Sequence, residues 1–218
     1  MKNCNFPFKL KKPMKSICFN LIFSLVSLSF FAQIKKGSSM PLSDLQLLDV
    51  KTNAKTILKE NKLEKGLLII FTCNTCPFVV GTPDFPGWER QYNTLFDQAV
   101  KRNVGFVLVN SNEGKRGKED SIEEMIKRAE EKGYQMPYLV DEKSVLANAF
   151  GAKTTPHVFL FNEELKLVYS GSIDNIWDNK RKEEIPYLIN AINALSQGKK
   201  IKPSATPPKG CSIKRYSN

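Results

Sequence analysis

Histidine is nearly absent from this chain, cysteine is sparse, and acidic residues are missing from both ends. The 218 residues include one His and five Cys. Two of the cysteines, Cys4 and Cys18, sit in the N-terminal segment. The rest of the chain keeps Cys73, Cys76 and Cys211. That is too few for a domain stapled by disulfides, and the odd number reads as one reactive pair plus a further thiol. A zinc site would need all three of these thiols and His157, drawn from a loop, a tail and a strand. No apolar run reaches the roughly 20 residues of a spanning helix. Gly and Pro, twelve of each, are scattered, which excludes a low-complexity protein. With 41% hydrophobic and 25% charged residues, the composition is that of a folded globular chain.

The net charge of +11 is carried by the termini. Residues 1–32 hold five Lys and no acid, and residues 199–218 hold six basic groups and no acid. Residues 33–198 balance 22 basic against 22 acidic side chains. A nucleic-acid-binding domain carries its basic face on the folded core, so no nucleic-acid partner is expected.

Residues 2–15 are basic, and Ile17–Ala32 is an apolar stretch diluted by Asn20, Ser24, Ser27 and Ser29. A small residue, Ala32, precedes Gln33. This pattern predicts a signal peptide over residues 1–32 and export, with the bacterial periplasm as destination. No stable membrane insertion is expected once it is removed; an uncleaved anchor is the other reading of the same stretch.

Behind it the elements alternate. Leu45–Val50 is a weakly patterned strand. Gly66–Thr72 (GLLIIFT) and Val104–Asn110 (VGFVLVN) read as strands buried on both faces. Cys73–Gly81 follows the first as a turn with one helical turn. Trp88, Tyr92, Leu95, Phe96, Ala99 and Val100 share one face of a helix that runs to about Arg102. Residues 111–120 read as a solvated charged loop. Ser121 and Glu124 form a capping box for a helix that Gly133 ends. Tyr138–Val140 is a short strand and Ser144–Phe150 a helix. His157–Phe161 and Leu165–Ser170 form a hairpin, Ile185–Ser196 is the last helix, and the Pro-containing tail is extended. An α/β start with a terminal antiparallel hairpin predicts an α/β domain over residues 40–198, with a central mixed β-sheet and helices on both faces, followed by a basic tail over 199–218.

The chemistry concentrates at Cys73-Asn-Thr-Cys76-Pro77, between a buried strand and a helix. A helix start presents unpaired N–H groups that stabilise a thiolate. The two-residue spacing lets one thiol reach the other. Cys73, at the helix start and more exposed, is the expected attacking thiolate, and Cys76 the resolving thiol. A structural disulfide, or half of a metal site, would use the same spacing.

The strings FTCNTCPF (71–78), VNSN (109–112), DSIEEM (120–125), MPYLVDE (136–142), AFGAKTTPHVFLFN (149–162), LVYSGSID (167–174) and GCSIKR (210–215) resemble the thioredoxin-like redoxins. This branch holds peroxiredoxin-like proteins and envelope thiol–disulfide oxidoreductases, and the likeness covers about residues 40–216. It implies a thioredoxin-like three-layer fold and catalysis by Cys73 and Cys76. It also implies a cis Pro156 whose preceding residue, Thr155, holds the substrate backbone. The substrate would be a protein or small-molecule disulfide, with a partner reductase and without organic cofactor or metal. His157 and Cys211 are candidate auxiliary residues, as proton shuttle and third redox thiol.

The departures are informative. The peroxidatic pattern P-x-x-x-T-x-x-C is absent: Cys73 is preceded by Ile70 and Gly66, Cys76 by Cys73 and Ile69. A thiol peroxidase is therefore the alternative reading, and a non-catalytic thiol site for Cu(I) is a third. Leu67 stands where thioredoxins bury an acid, and Thr72 where they carry Trp. Thr75 stands where oxidising relatives carry His, which points to a more reducing pair. The insertion GTPDFPG (81–87) is placed to shape a substrate groove.

Overall fold

The two continuous apolar runs become the centre of a sheet because no polar side chain interrupts either face. The computed structural model describes Met1 and residues 32–216. Apart from Met1 and Ala32, the segment 1–32 expected to be a signal peptide, with Cys4 and Cys18, lies outside the described residues. Among the described residues no helix is long and apolar enough to cross a membrane.

In chain order the strands are β1 (Gln46–Asp49), β2 (Ala54–Ile57), β3 (Gly66–Thr72), β4 (Val104–Asn110), β5 (Tyr138–Val140), β6 (Thr154–Thr155), β7 (His157–Asn162), β8 (Leu167–Gly171) and β9 (Cys211–Ser212). The helices are α1 (Pro77–Val80), α2 (Tyr92–Val100), α3 (Ile122–Glu131), α4 (Val145–Phe150) and α5 (Tyr187–Ser196). Seven strands form one sheet in the order β2-β1-β5-β4-β3-β7-β8, and β6 pairs with β9. β4 runs parallel to β3 and β5, while β7 is antiparallel to β3 and β8. The mixed α/β sheet expected from the sequence is therefore present.

Strand periodicity sends successive side chains to opposite faces. On β3, Leu68 and Ile70 face a core that contains Trp88, Tyr92 and Leu95 of the α2 region, Met125 of α3 and Leu188 of α5. Leu67, Ile69 and Phe71 face a second core with Leu146, Ala147 and Phe150 of α4. Three layers result, with β3 and β4 wholly buried. Trp88 is core, its indole N–H donating to Asp174 at 2.7 Å.

Several boundaries moved for local reasons. The helix expected from Trp88 begins as a 3-10 turn over Glu89–Gln91. α5 starts only after Pro186. β8 starts at Leu167 because Leu165 adopts a positive φ in the hairpin turn. Half of the capping box forms: Ser121 Oγ accepts from Glu124 N, whereas Ser121 N–H donates to the Lys118 carbonyl. β2 and the β6–β9 pair were not anticipated. The basic tail is extended but attached. Thr206 N–H donates to Ser170 O, Lys209 Nζ lies 4.9 Å from the Trp177 ring centroid, and Ile201 and Ile213 are buried. Residues before 40 pack as well, Gly37 N–H donating to Leu167 O at 2.8 Å.

Phe159 meets Phe71 and Phe150 edge-on, at centroid distances of 5.6 and 5.2 Å. Phe159→Ala should lower the unfolding free energy by about 3–5 kcal/mol. Val100→Ala, at an exposed site on α2, should change it by less than about 0.5 kcal/mol. Urea unfolding of both variants checks the contrast.

Candidate active site

β3 ends at Thr72, whose Oγ1 lies 2.9 Å from the Tyr92 hydroxyl. The chain then leaves the sheet as the loop that carries Cys73 and Cys76. α1 begins at Pro77, so Cys76, and not Cys73, occupies the helix N-cap. Both thiols are buried, with Cys73 at 2% and Cys76 at 6% exposure. The expectation that Cys73 sits at the helix start and is the more exposed of the two is thus reversed. The loop dips into the sheet edge before the helix forms.

Thr155 bridges the two sulfurs. Cys73 Sγ lies 3.1 Å from Thr155 Oγ1, and Cys76 Sγ lies 3.2 Å from the Thr155 carbonyl. The Thr155–Pro156 bond is cis, as the resemblance implied. The free backbone edge expected at Thr155 is not open, however. Thr155 pairs in antiparallel register with Cys211, and Thr154 with Ser212. The chain's own C-terminal strand lies where a substrate backbone was expected. Cys211 thereby joins Cys73 and Cys76 in one apolar cluster. A cavity of about 190 Å³ opens over the three thiols, flanked by Thr155, Lys115 and Lys214.

A polar network that went unrecognised in the sequence fixes the loop. Asp120 is fully buried. Its carboxylate accepts from Asn74 N–H at 2.8 Å, Asn110 Nδ2 at 2.7 Å and Asn112 Nδ2 at 3.0 Å. The Tyr138 hydroxyl donates to Asn74 Oδ1 at 2.9 Å. Lys214 N–H donates to Asn112 Oδ1 at 2.9 Å, so the network reaches the tail. The segment 111–120 is therefore not simply solvated: Ser111, Asn112 and Asp120 are buried. A usable signal was present, because three polar residues directly follow a strand buried on both faces. Leu67 is core. Asp120 instead brings a buried carboxylate close enough to act on Cys73, whose thiol its charge helps to push up.

The proton of the reduced pair is held unequally. Cys76 is pulled down to about 5, first by the hydrogen bond from Cys73 and then by the Cys211 thiol and N–H; burial opposes them. The Thr155 carbonyl contact also favours the protonated form of Cys76, and the donors outweigh it. Cys73 is pushed up by the same thiol–thiol hydrogen bond and by burial. These contacts favour the anion on Cys76 over one on Cys73. These contacts work against the more reducing pair expected from Thr75, because a stabilised thiolate favours the reduced form. Cys211 is raised to about 11, first by burial and then by its hydrogen bond with Cys76.

His157 is placed differently from the auxiliary role considered for it. Its ring is buried, packs 4.5 Å from the Phe159 ring, accepts the Lys153 N–H at Nδ1 and does not line the thiol cavity. Burial pushes it down to about 3, so it is neutral at physiological pH. The 81–87 insertion turns back on itself through Thr82 and Phe85 and packs on Phe78 and Trp88. It does not line the thiol cavity. Among the described residues no group of three or more His, Cys, Asp or Glu is arranged to hold a metal ion.

The Redoxin family model matches residues 35–185, more than half of the chain. The chain belongs to the Redoxin family. An uncharacterized conserved protein from Geobacillus kaustophilus is 31% identical with a TM-score of 0.73, covering 87% of this chain and 95% of its own. A hypothetical protein from Sinorhizobium meliloti is 29% identical, with a TM-score of 0.73 over 86% of this chain and 98% of its own. A thioredoxin domain of a thiol-disulfide oxidoreductase from Bacteroides vulgatus shares the fold at 15% identity, with a TM-score of 0.54 over 75% of this chain and 99% of its own. No curated protein matches the chain. Family and fold together support oxidoreductase activity in general terms.

Two outcomes test this site. Asp120→Ala strands three buried donors and should destabilise the fold by about 3 kcal/mol or more in urea unfolding. For His157 the folded pKa lies below the unfolded 6.5, so the unfolded chain takes up the proton first. Stability should be unaffected by this group above pH 6.5 and fall by about 1.4 kcal/mol per pH unit below it. A His157→Gln variant should lose that part of the acid sensitivity between pH 6.5 and 4.5.

Proposed function

We propose that this redoxin is an exported thiol–disulfide oxidoreductase of the bacterial periplasm, working through Cys73 and Cys76. The observation that carries the reading is the convergence of both sulfurs on Thr155 beneath an open cavity. The N-terminal basic and apolar pattern supports export.

In the reducing direction the Cys76 thiolate attacks one sulfur of a protein or small-molecule disulfide. A Cys76–substrate bond forms, the substrate S–S bond breaks, and the leaving sulfur departs as a thiolate. The Cys73 thiol then attacks Cys76 Sγ. The Cys73–Cys76 disulfide forms, the second substrate thiol leaves, and the Cys73 proton goes to it. Two electrons pass from the protein to the substrate, and a partner reductase must restore them. Thr155 holds the two sulfurs in line, and Pro156 fixes the strand that carries it. Lys115 and Lys214 flank the cavity and favour the leaving sulfur as a thiolate.

Reduced protein should exchange with a low-molecular-weight aromatic disulfide, and Cys76→Ser should fall to background. Alkylation by iodoacetamide should modify Cys76 first, with a rate that rises through a midpoint near pH 5, since the thiolate is present above that pH and lost below it. Retained exchange in Cys76→Ser overturns the reading. A midpoint near that of a free thiol, about 8.5, or prior modification of Cys73, overturns the assigned order. Peroxide consumption without disulfide exchange would make the protein a thiol peroxidase.

A further inference from the structure

We propose that Cys211 is a third redox thiol, and that the oxidised pair passes from Cys73–Cys76 to a Cys76–Cys211 disulfide at the tail. The inference rests on the dithiol reading above and deepens it.

The tail is placed for this by several independent contacts. β9 pairs with β6 so that Cys211 lies opposite Thr155, the residue on which Cys73 and Cys76 both rest. The approach is close: a Cβ on Gly210 would stand 2.2 Å from the Thr155 carbonyl oxygen, so only glycine lets the backbone reach this position. On the far side, Gly114 N–H donates to Lys214 O and Ile213 N–H to Lys153 O. Lys214 N–H closes onto Asn112, within the Asp120 network that holds the Cys73 loop. The same carboxylate thus positions the reactive loop and the tail thiol relative to each other. Cys76 is the middle member of the three, interacting with Cys73 on one side and with Cys211 on the other.

Exposure gives the arrangement its use. Cys73 and Cys76 are buried, whereas Cys211 is half-buried and lines the cavity mouth. A disulfide that ends on Cys211 is more accessible to an external dithiol than one between the two buried sulfurs. When the Cys211 thiolate attacks Cys76 Sγ, the Cys76–Cys211 bond forms and the Cys73–Cys76 bond breaks. Cys73 leaves as a thiolate and takes the proton that Cys211 gave up. No electrons are gained or lost in this step. An external dithiol then attacks Cys211 Sγ, the more accessible sulfur, and its two electrons reduce the Cys76–Cys211 bond. The site thus takes electrons through its tail.

Peptide mapping of the oxidised full chain tests this directly. Trypsin leaves Cys73 and Cys76 together on residues 66–90 and Cys211 on residues 210–214. After oxidation with trans-4,5-dihydroxy-1,2-dithiane, Cys73→Ser should show residues 66–90 linked to 210–214, with the loss of both free thiols. The parent should show this link beside the internal Cys73–Cys76 bridge. Cys211→Ser should show only the internal bridge. Absence of the 66–90 to 210–214 link in both the parent and Cys73→Ser overturns the relay, and the parent map keeps the test valid if the variant fails to fold. Absence of the internal bridge in Cys211→Ser overturns the dithiol reading instead, so the two failures are distinguishable.

Discussion

The Asp120 carboxylate, buried where no water reaches it, is the constraint on which the arrangement of the site depends. A carboxylate is expensive to desolvate unless donors replace the lost water. Here the donors are Asn74 N–H, Asn110 Nδ2 and Asn112 Nδ2. Each belongs to a different structural task. Asn74 lies between the two site cysteines, Asn110 ends β4, and Asn112 receives the tail through Lys214. Satisfying one charge therefore fixes the loop, the sheet edge and the C-terminal strand together. Removal of any one donor would leave the charge short of partners, which makes the network specific as well as stabilising.

The sheet supplies the platform for this network. β3 and β4 run parallel at its centre, buried by helices on both faces, and their C-terminal ends deliver Thr72 and Asn110 side by side. β7 enters from the other side, antiparallel to β3, and is preceded directly by Thr155 and Pro156. The thiols thus emerge at the one edge where a parallel pair ends and an antiparallel strand begins. Burial of both thiols in this crevice raises the cost of a free thiolate, and the donors around Cys76 offset it.

Much of this was legible in the sequence where the pattern was unambiguous. GLLIIFT, VGFVLVN and HVFLF have no polar interruption, and a strand covered on both faces is the structure that needs none. The Cys-x-x-Cys spacing between such a strand and Pro77 pointed to the candidate site. Other features left weaker marks. β2 (Ala54–Ile57) has an exposed, polar edge composition without alternation. β6 and β9 are only two residues long and exist because they pair with each other. Residues 111–120 look solvated because Lys115, Arg116, Lys118 and Glu119 surround the buried Asn112 and Asp120. Composition averages over a loop, whereas burial acts on single side chains.

By itself the sequence determined the central strands β3, β4 and β7, the two core faces and the candidate cysteine pair, because these follow from local periodicity and from spacing within a few residues. Tertiary structure alone decided three further matters. It placed Cys211 beside Cys76, 135 positions earlier in the chain. It buried His157 against the Phe159 ring instead of setting it in the thiol cavity. It also set the contacts that push the Cys73 thiol up and pull the Cys76 thiol down. Each of these depends on desolvation and on partners contributed by distant segments, and none can be read from the identity of neighbouring residues.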